Sequence, residues 1–127
     1  MEYLDSTFML VIAAALCAIA AGVHSIAGEQ RLIGPLLTSD VAIMQSPLLR
    51  EVTRFTWRWT SALWLLVATV LALAAYGEIA APAIILGIGT VHLAMGIADA
   101  IVTRGRHIGW PLITVVGVLT LLAHYTT

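Results

Sequence analysis

Four long apolar runs separated by three polar breaks organise this chain. The runs cover roughly residues 7–27, 57–76, 81–102 and 108–125, each near the 20 or so helical residues that cross a hydrocarbon core of about 30 Å. Each is read as a helix, because apolar runs of this kind cannot close into a barrel in so small a chain. The pattern therefore predicts an all-α, four-helix transmembrane bundle forming a single domain over residues 1–127.

The first break, roughly residues 28–56, predicts one soluble loop of about 29 residues. Gly34-Pro35 is expected to end whatever continues from the first helix, since proline lacks an N–H and restrains the residue before it. Ser39-Asp40 reads as the cap of a short helix through Gln45. Ser46-Pro47 then reads as an N-cap followed by proline at the first helical position. From there Leu48, Val52, Phe55 and Trp59 form one stripe at helical spacing, with Arg50, Arg54 and Arg58 on a neighbouring face. That pattern predicts an amphipathic interfacial helix running straight into the second span. The second break, from Gly77 to Pro82, is tight enough to make spans two and three an antiparallel hairpin. Ala14, Ala18 and Gly22 in span one, and Gly89, Gly96 and Ala100 in span three, repeat as small residues that let helices approach closely. They serve either the bundle or a second subunit.

Charge sets the orientation. All six basic residues are arginines, and they sit in the first and third breaks: Arg31, Arg50, Arg54 and Arg58, then Arg104 and Arg106. Basic loops stay cytoplasmic, so both termini are expected on the periplasmic or exterior side. Glu2, Asp5 and Glu78 fall on that outer side, as do Tyr3, Tyr76 and Tyr125, while Trp57, Trp59 and Trp110 mark the inner interface. The chain is 61% hydrophobic and only 10% charged, with a net charge of −1, so nucleic acid is not an expected partner. The expected partners are the lipid bilayer and either a second copy of the chain or another membrane subunit. The acidic N-terminus does not read as a cleaved signal. The single cysteine, Cys17, permits no internal disulfide and no paired-cysteine redox site.

Ionisable groups inside a span are costly and should face the bundle with a partner. His92 falls near the middle of span three, and Asp99 lies on the same face about 10.5 Å closer to the cytoplasm. His24 sits near the inner end of span one, at about the depth of Asp99, and Arg58 enters span two at a comparable level. These spans can bring His24, Arg58 and Asp99 together, with Arg54 one turn outside, Glu29 and Arg104 at the rim, and Thr60 and Ser61 adding hydroxyls. Three readings follow: an Arg58–Asp99 salt bridge that fixes the bundle, a proton-, ion- or small-anion-handling site, or a metal or haem centre using His24 and His92. His24 and Glu29, five residues apart, are expected on different faces of one helix, and no ligand pair at metal spacing occurs within a span. No cofactor is therefore expected. His107 and His124 read as solvated interfacial residues. Enzyme activity has the least support, since no nucleophile–base pair or phosphate-cradling loop is evident.

The segment His24-Ser25-Ile26-Ala27-Gly28-Glu29, followed by Arg31 and Pro35-Leu36-Leu37, resembles a group of small bacterial inner-membrane proteins with four predicted spans, as does Arg54-Phe55-Thr56-Trp57 leading to Thr60-Ser61. The resemblance implies that architecture and location over about a third of the chain. Similar sequences are expected to carry histidine where this chain has Arg58, a departure that counts against a multi-histidine metal site involving span two here. Other four-span families fit worse: positions 8–23 hold no buried acid of the small multidrug-exporter type, and the cysteine pairs of vitamin K-type quinone reductases are missing.

Overall fold

A computed structural model describes residues 5–126, which are helical over most of their length and contain no strand. Glu2 and Tyr3, expected at the outer interface, lie outside the described residues. Helix α1 spans Ser6–Val23, continues as a π-helical segment over His24–Ile33, and returns to α-helix as α2, Gly34–Leu37. A 3-10 turn at Ala42–Gln45 leads to α3, Pro47–Ala75, then α4, Pro82–Val102, and α5, Trp110–Thr126. Three helical stretches are long and apolar enough to cross a membrane: Ser6–Leu37, Pro47–Ala75 and Pro82–Val102. The fourth, Trp110–Thr126, is apolar but has 17 residues, at the lower limit of about 17 for a span.

The first break is much shorter than its composition suggests. Gly34-Pro35 does not end the helix, because the π segment precedes it and Pro35 opens a fresh α-helical turn, where a missing N–H is tolerated. The wide turn is closed by Gly34 N–H donating to the Glu29 carbonyl, five residues back. The end comes instead at Thr38 and Ser39, whose hydroxyls donate to the Gly34 and Leu36 carbonyls at 3.1 and 2.7 Å. With Ser39 so engaged, Ser39-Asp40 caps nothing; Val41 precedes the 3-10 turn without a side-chain cap. Ser46-Pro47 does open the next helix with proline in its first turn, although the Ser46 side chain makes no capping bond. As expected, α3 runs unbroken from this amphipathic entry to the end of the second span.

Close helix packing follows the small residues. The buried face of α1 is Met9, Leu10, Ala13, Ala14, Cys17, Ala20 and Ala21, and it packs on both α3 and α5. Ala18 is exposed and Gly22 faces open space, so the expected Ala14–Ala18–Gly22 stripe is not the contact face. The α4 glycines are spent inside the fold. A Cβ on Gly89 would stand 2.8 Å from Leu121 Cγ, and one on Gly96 would stand 2.7 Å from the Thr114 backbone nitrogen. From the other side, a Cβ on Gly117 would overlap the Leu93 backbone. These pairs run in descending register, so α4 and α5 are antiparallel with their backbones in contact.

The α3–α4 hairpin is splayed by comparison. Gly77, at φ +72°, turns the chain, and the Gly77 and Glu78 N–H groups cap the Ala74 and Leu73 carbonyls. Beyond that turn the two helices make little close backbone contact. They meet through large rings, with Trp64 edge-on to His92 at a centroid distance of 5.2 Å.

Replacing Gly117 by Ala should lower stability by about 1–3 kcal/mol, the usual cost of overpacking, because its neighbour is rigid backbone. Gly22→Ala should be neutral or stabilising. Thermal unfolding of both variants in one detergent checks the contrast, and equal midpoints would contradict the α4–α5 contact.

Candidate functional site

All six arginines lie in the π segment, the start of α3 and the α4–α5 turn, so one end of the bundle is basic. Within that end the structure forms two separate polar sites, where the sequence suggested one.

The first is a cavity of about 410 Å³ lined by α1, the π segment, α3, α5 and the turn before α5; its wall includes His24, Trp64, His107, Ile108 and Leu112. His24 is held from α3. The Trp57 indole stacks on the imidazole at 3.8 Å with the planes 15° apart, and its Nε1–H donates to the His24 carbonyl at 3.1 Å. The indole fits because residue 28 is glycine: a Cβ there would overlap Trp57. His24 Nε2 is buried with no hydrogen-bond partner among the described residues. A buried polar atom left in this state is costly, and native structures usually satisfy it with a ligand or water.

His107 supplies the other polar wall. After α4 the chain turns back through Arg104 and Gly105, both in the left-handed region at φ 53° and 71°. Gly105 N–H bonds the Ala100 carbonyl and Arg104 N–H the Ile101 carbonyl, the pattern of a Schellman cap. This turn carries His107 back over the helix end, where its Nδ1–H donates to Asp99 Oδ2 at 2.5 Å. Gly109 leaves room for the ring, since a Cβ there would come within 2.6 Å of His107 Cε1. With Nδ1 committed to the carboxylate, Nε2 is the His107 atom left for a ligand.

Several expectations are corrected by this geometry. Asp99 pairs with His107 and not with Arg58, and His107 is part of the site although it is half-exposed. The signal was present in the sequence: an acid in the last helical turn followed by a glycine turn returns the eighth residue to it. His92 lies behind the cavity wall, its Nδ1–H donating to Ile88 carbonyl at 2.8 Å while Trp64 covers its edge. Thr60 and Ser61 donate to carbonyls of their own helix, Thr56 and Trp57, at 3.0 and 3.5 Å, and join no network. Arg104 is exposed and serves the turn.

The second site lies on the outer face of α3. Arg50, Arg54 and Arg58 line a groove with Leu37, Thr38, Glu51 and Phe55. Glu29 reaches it from the π segment and pairs with Arg54 at 3.1 Å. So Glu29 and His24 both face α3, contrary to the expectation of different faces. Bonds from i to i+5 define a π-helix, so residues five apart become neighbours along its wall.

No three His, Cys, Asp or Glu side chains among the described residues gather closely enough to hold an ion. His24 and His92 pack on different tryptophans of α3, Trp57 and Trp64.

Gly28→Ala should push Trp57 off His24 and lower stability by about 1–3 kcal/mol. Subtracting the spectrum of a Trp57→Phe protein isolates the Trp57 fluorescence, which should shift. An unchanged spectrum and midpoint would show that the glycine does not seat the indole. The chain matches no protein-family model, no curated protein and no solved structure, so function rests on the site itself.

Proposed function

We propose that this chain is a four-span integral protein of a bacterial inner membrane, with both termini outside, that handles protons through the histidine cavity at its cytoplasmic end. The carrying observation is the unpartnered His24 Nε2 in a cavity whose second polar wall is the Asp99-paired His107. Imidazoles titrate in the physiological range and change between donor and acceptor at little cost. A carboxylate on Nδ1 fixes the tautomer and orientation of His107, as in other orienting Asp–His pairs.

The location is supported by composition. Three helices are long and apolar enough to span, Leu66, Val91, Ile97 and Leu122 face outward, and α5 completes the set at the minimal length. Placing the six arginines in the cytoplasm follows the positive-inside rule and agrees with the resemblance to small inner-membrane proteins. The walls of the cavity are otherwise apolar, with Ile19, Val23, Leu112 and Ile113. A co-transported molecule would therefore be small and mostly apolar, with one or two hydrogen-bonding atoms.

Liposomes containing the purified protein and a pH-sensitive dye test this reading. An imposed proton gradient should collapse faster than in empty liposomes. Asp99→Asn and His24→Ala should each slow the collapse about tenfold or more, the scale expected of a proton-transfer group, while eluting like the parent protein. A parent rate equal to that of empty liposomes, with or without small amphiphiles present, would sink the proposal.

A further inference from the structure

The arginine groove on α3 belongs to neither the histidine cavity nor the packing of the bundle. Arg50, Arg54 and Arg58 recur every four residues, so they stack along one side of α3. Two of the three are partly engaged. Arg50 Nε donates to the Met44 carbonyl and Nη2 to Gln45 Oε1 at 3.5 Å, which ties the 3-10 turn to α3. Arg54 pairs with Glu29. Arg58 is exposed and pairs with no acid among the described residues. Glu51 and Glu29 are the carboxylates at this groove, so three guanidinium charges face two carboxylates and the balance is positive. The groove encloses about 430 Å³ and has an apolar floor from Leu37 and Phe55.

What leaves the groove identifies the occupant. Phe55 stacks on Trp59 at 6.2 Å with the rings 17° from parallel. Phe55, Trp59, Leu63 and Leu66 are all exposed, at 66%, 55%, 43% and 58%. Their spacing puts them on one face of α3, so an uninterrupted apolar track runs from the arginines into the apolar part of the helix. Among the described residues α1 is the only long helix packed closely on α3, which leaves that track open. A basic, forked rim joined to an apolar track matches a molecule with a phosphate head and hydrocarbon tails. Guanidinium groups bind phosphate through paired hydrogen bonds.

We propose that this groove is a binding site for the phosphate headgroup of an anionic phospholipid, with Arg58 as the principal contact and the Phe55–Trp59–Leu63–Leu66 track carrying an acyl chain. The site does not depend on the histidine cavity, and its occupancy is measured separately from proton movement.

Native mass spectrometry of the full chain, released from detergent with equal amounts of phosphatidylglycerol and phosphatidylcholine, tests it. Retained phosphatidylglycerol should outnumber phosphatidylcholine, and Arg58→Gln should weaken that retention about fivefold, the effect of one base near a membrane surface. Arg104→Gln, at the same end but outside the groove, should change it little. Phe55→Ser should also weaken it, because the track is part of the site. Equal retention of the two lipids, or equal loss in both arginine variants, would overturn the proposal and leave only general attraction to a basic end. Displacement of the lipid by millimolar inorganic phosphate would overturn it in favour of a free-phosphate site.

Discussion

The π winding of His24–Ile33 is the constraint on which the rest of this structure depends. In an α-helix, residues five apart are separated by about 140° around the axis, from 3.6 residues per turn. His24 and Glu29 would then face different neighbours. Bonds that reach one residue further bring both to α3, where His24 meets Trp57 and Glu29 meets Arg54. Those two partners are three residues apart on α3 and therefore lie on one face as well. A wide turn is less favourable than a regular one, and what holds it is specific. The Trp57 ring stacks on His24, its N–H bonds the His24 carbonyl 33 residues away in sequence, and glycine at position 28 gives the ring its seat. Net contributions of about 0.5–1.5 kcal/mol each for the stack and the hydrogen bond set the scale. The Glu29–Arg54 pair, partly exposed, adds little stability but fixes where Arg54 points.

The same segment decides how the polar end is divided. The π segment presents its imidazole to the cavity and its carboxylate to the groove. Arg58 lines the groove, and Asp99 pairs instead with His107 from its own turn. The cavity is lined with two imidazoles and no arginine. The groove holds three permanent charges, of which Arg54 alone pairs with an acid among the described residues. The histidine cavity and the arginine groove are thereby kept as two separate polar sites.

Much of the architecture was legible in the sequence because it depends on properties that are local. Apolar run length located α4, α5 and the start of α1 to within a few residues, and Ser46-Pro47, not the apolar run, marked the start of α3. The i, i+4 arrangement of Arg50, Arg54 and Arg58 was equally readable, as was the close-approach role of Gly89 and Gly96, though not that they pack inside the bundle. What was not legible is non-local. Pro35 carries a strong stop signal, yet its helix continues, since the preceding π turn depends on a tryptophan from another helix. Ala13, Cys17 and Ala20 could not be told from Ala14, Ala18 and Gly22 as the packed face, because an all-apolar helix has no polar side to orient it. Helix rotation in such a segment is set by its neighbours. The Arg58–Asp99 pairing failed for the same reason: equal depth along two helices says nothing about azimuth.

The splay between α3 and α4 completes the argument. Backbones meet where glycines face them, as at Gly96 and Gly117, and stay apart where Trp64 and His92 stand between them. A bundle tightened uniformly by small residues would leave no room for a cavity. Here α4 and α5 are locked together and α1 is fixed to both α3 and α5, so the slack collects beside Trp64, where the cavity opens toward His24 and His107. Trp64 thus has two functions, as a spacer holding α3 away from α4 and as a wall of the site. In lipid this arrangement is less fragile than it would be in water, since the hydrocarbon supplies no hydrophobic drive to close the gap. Packing geometry, more than burial of apolar area, keeps the cavity open.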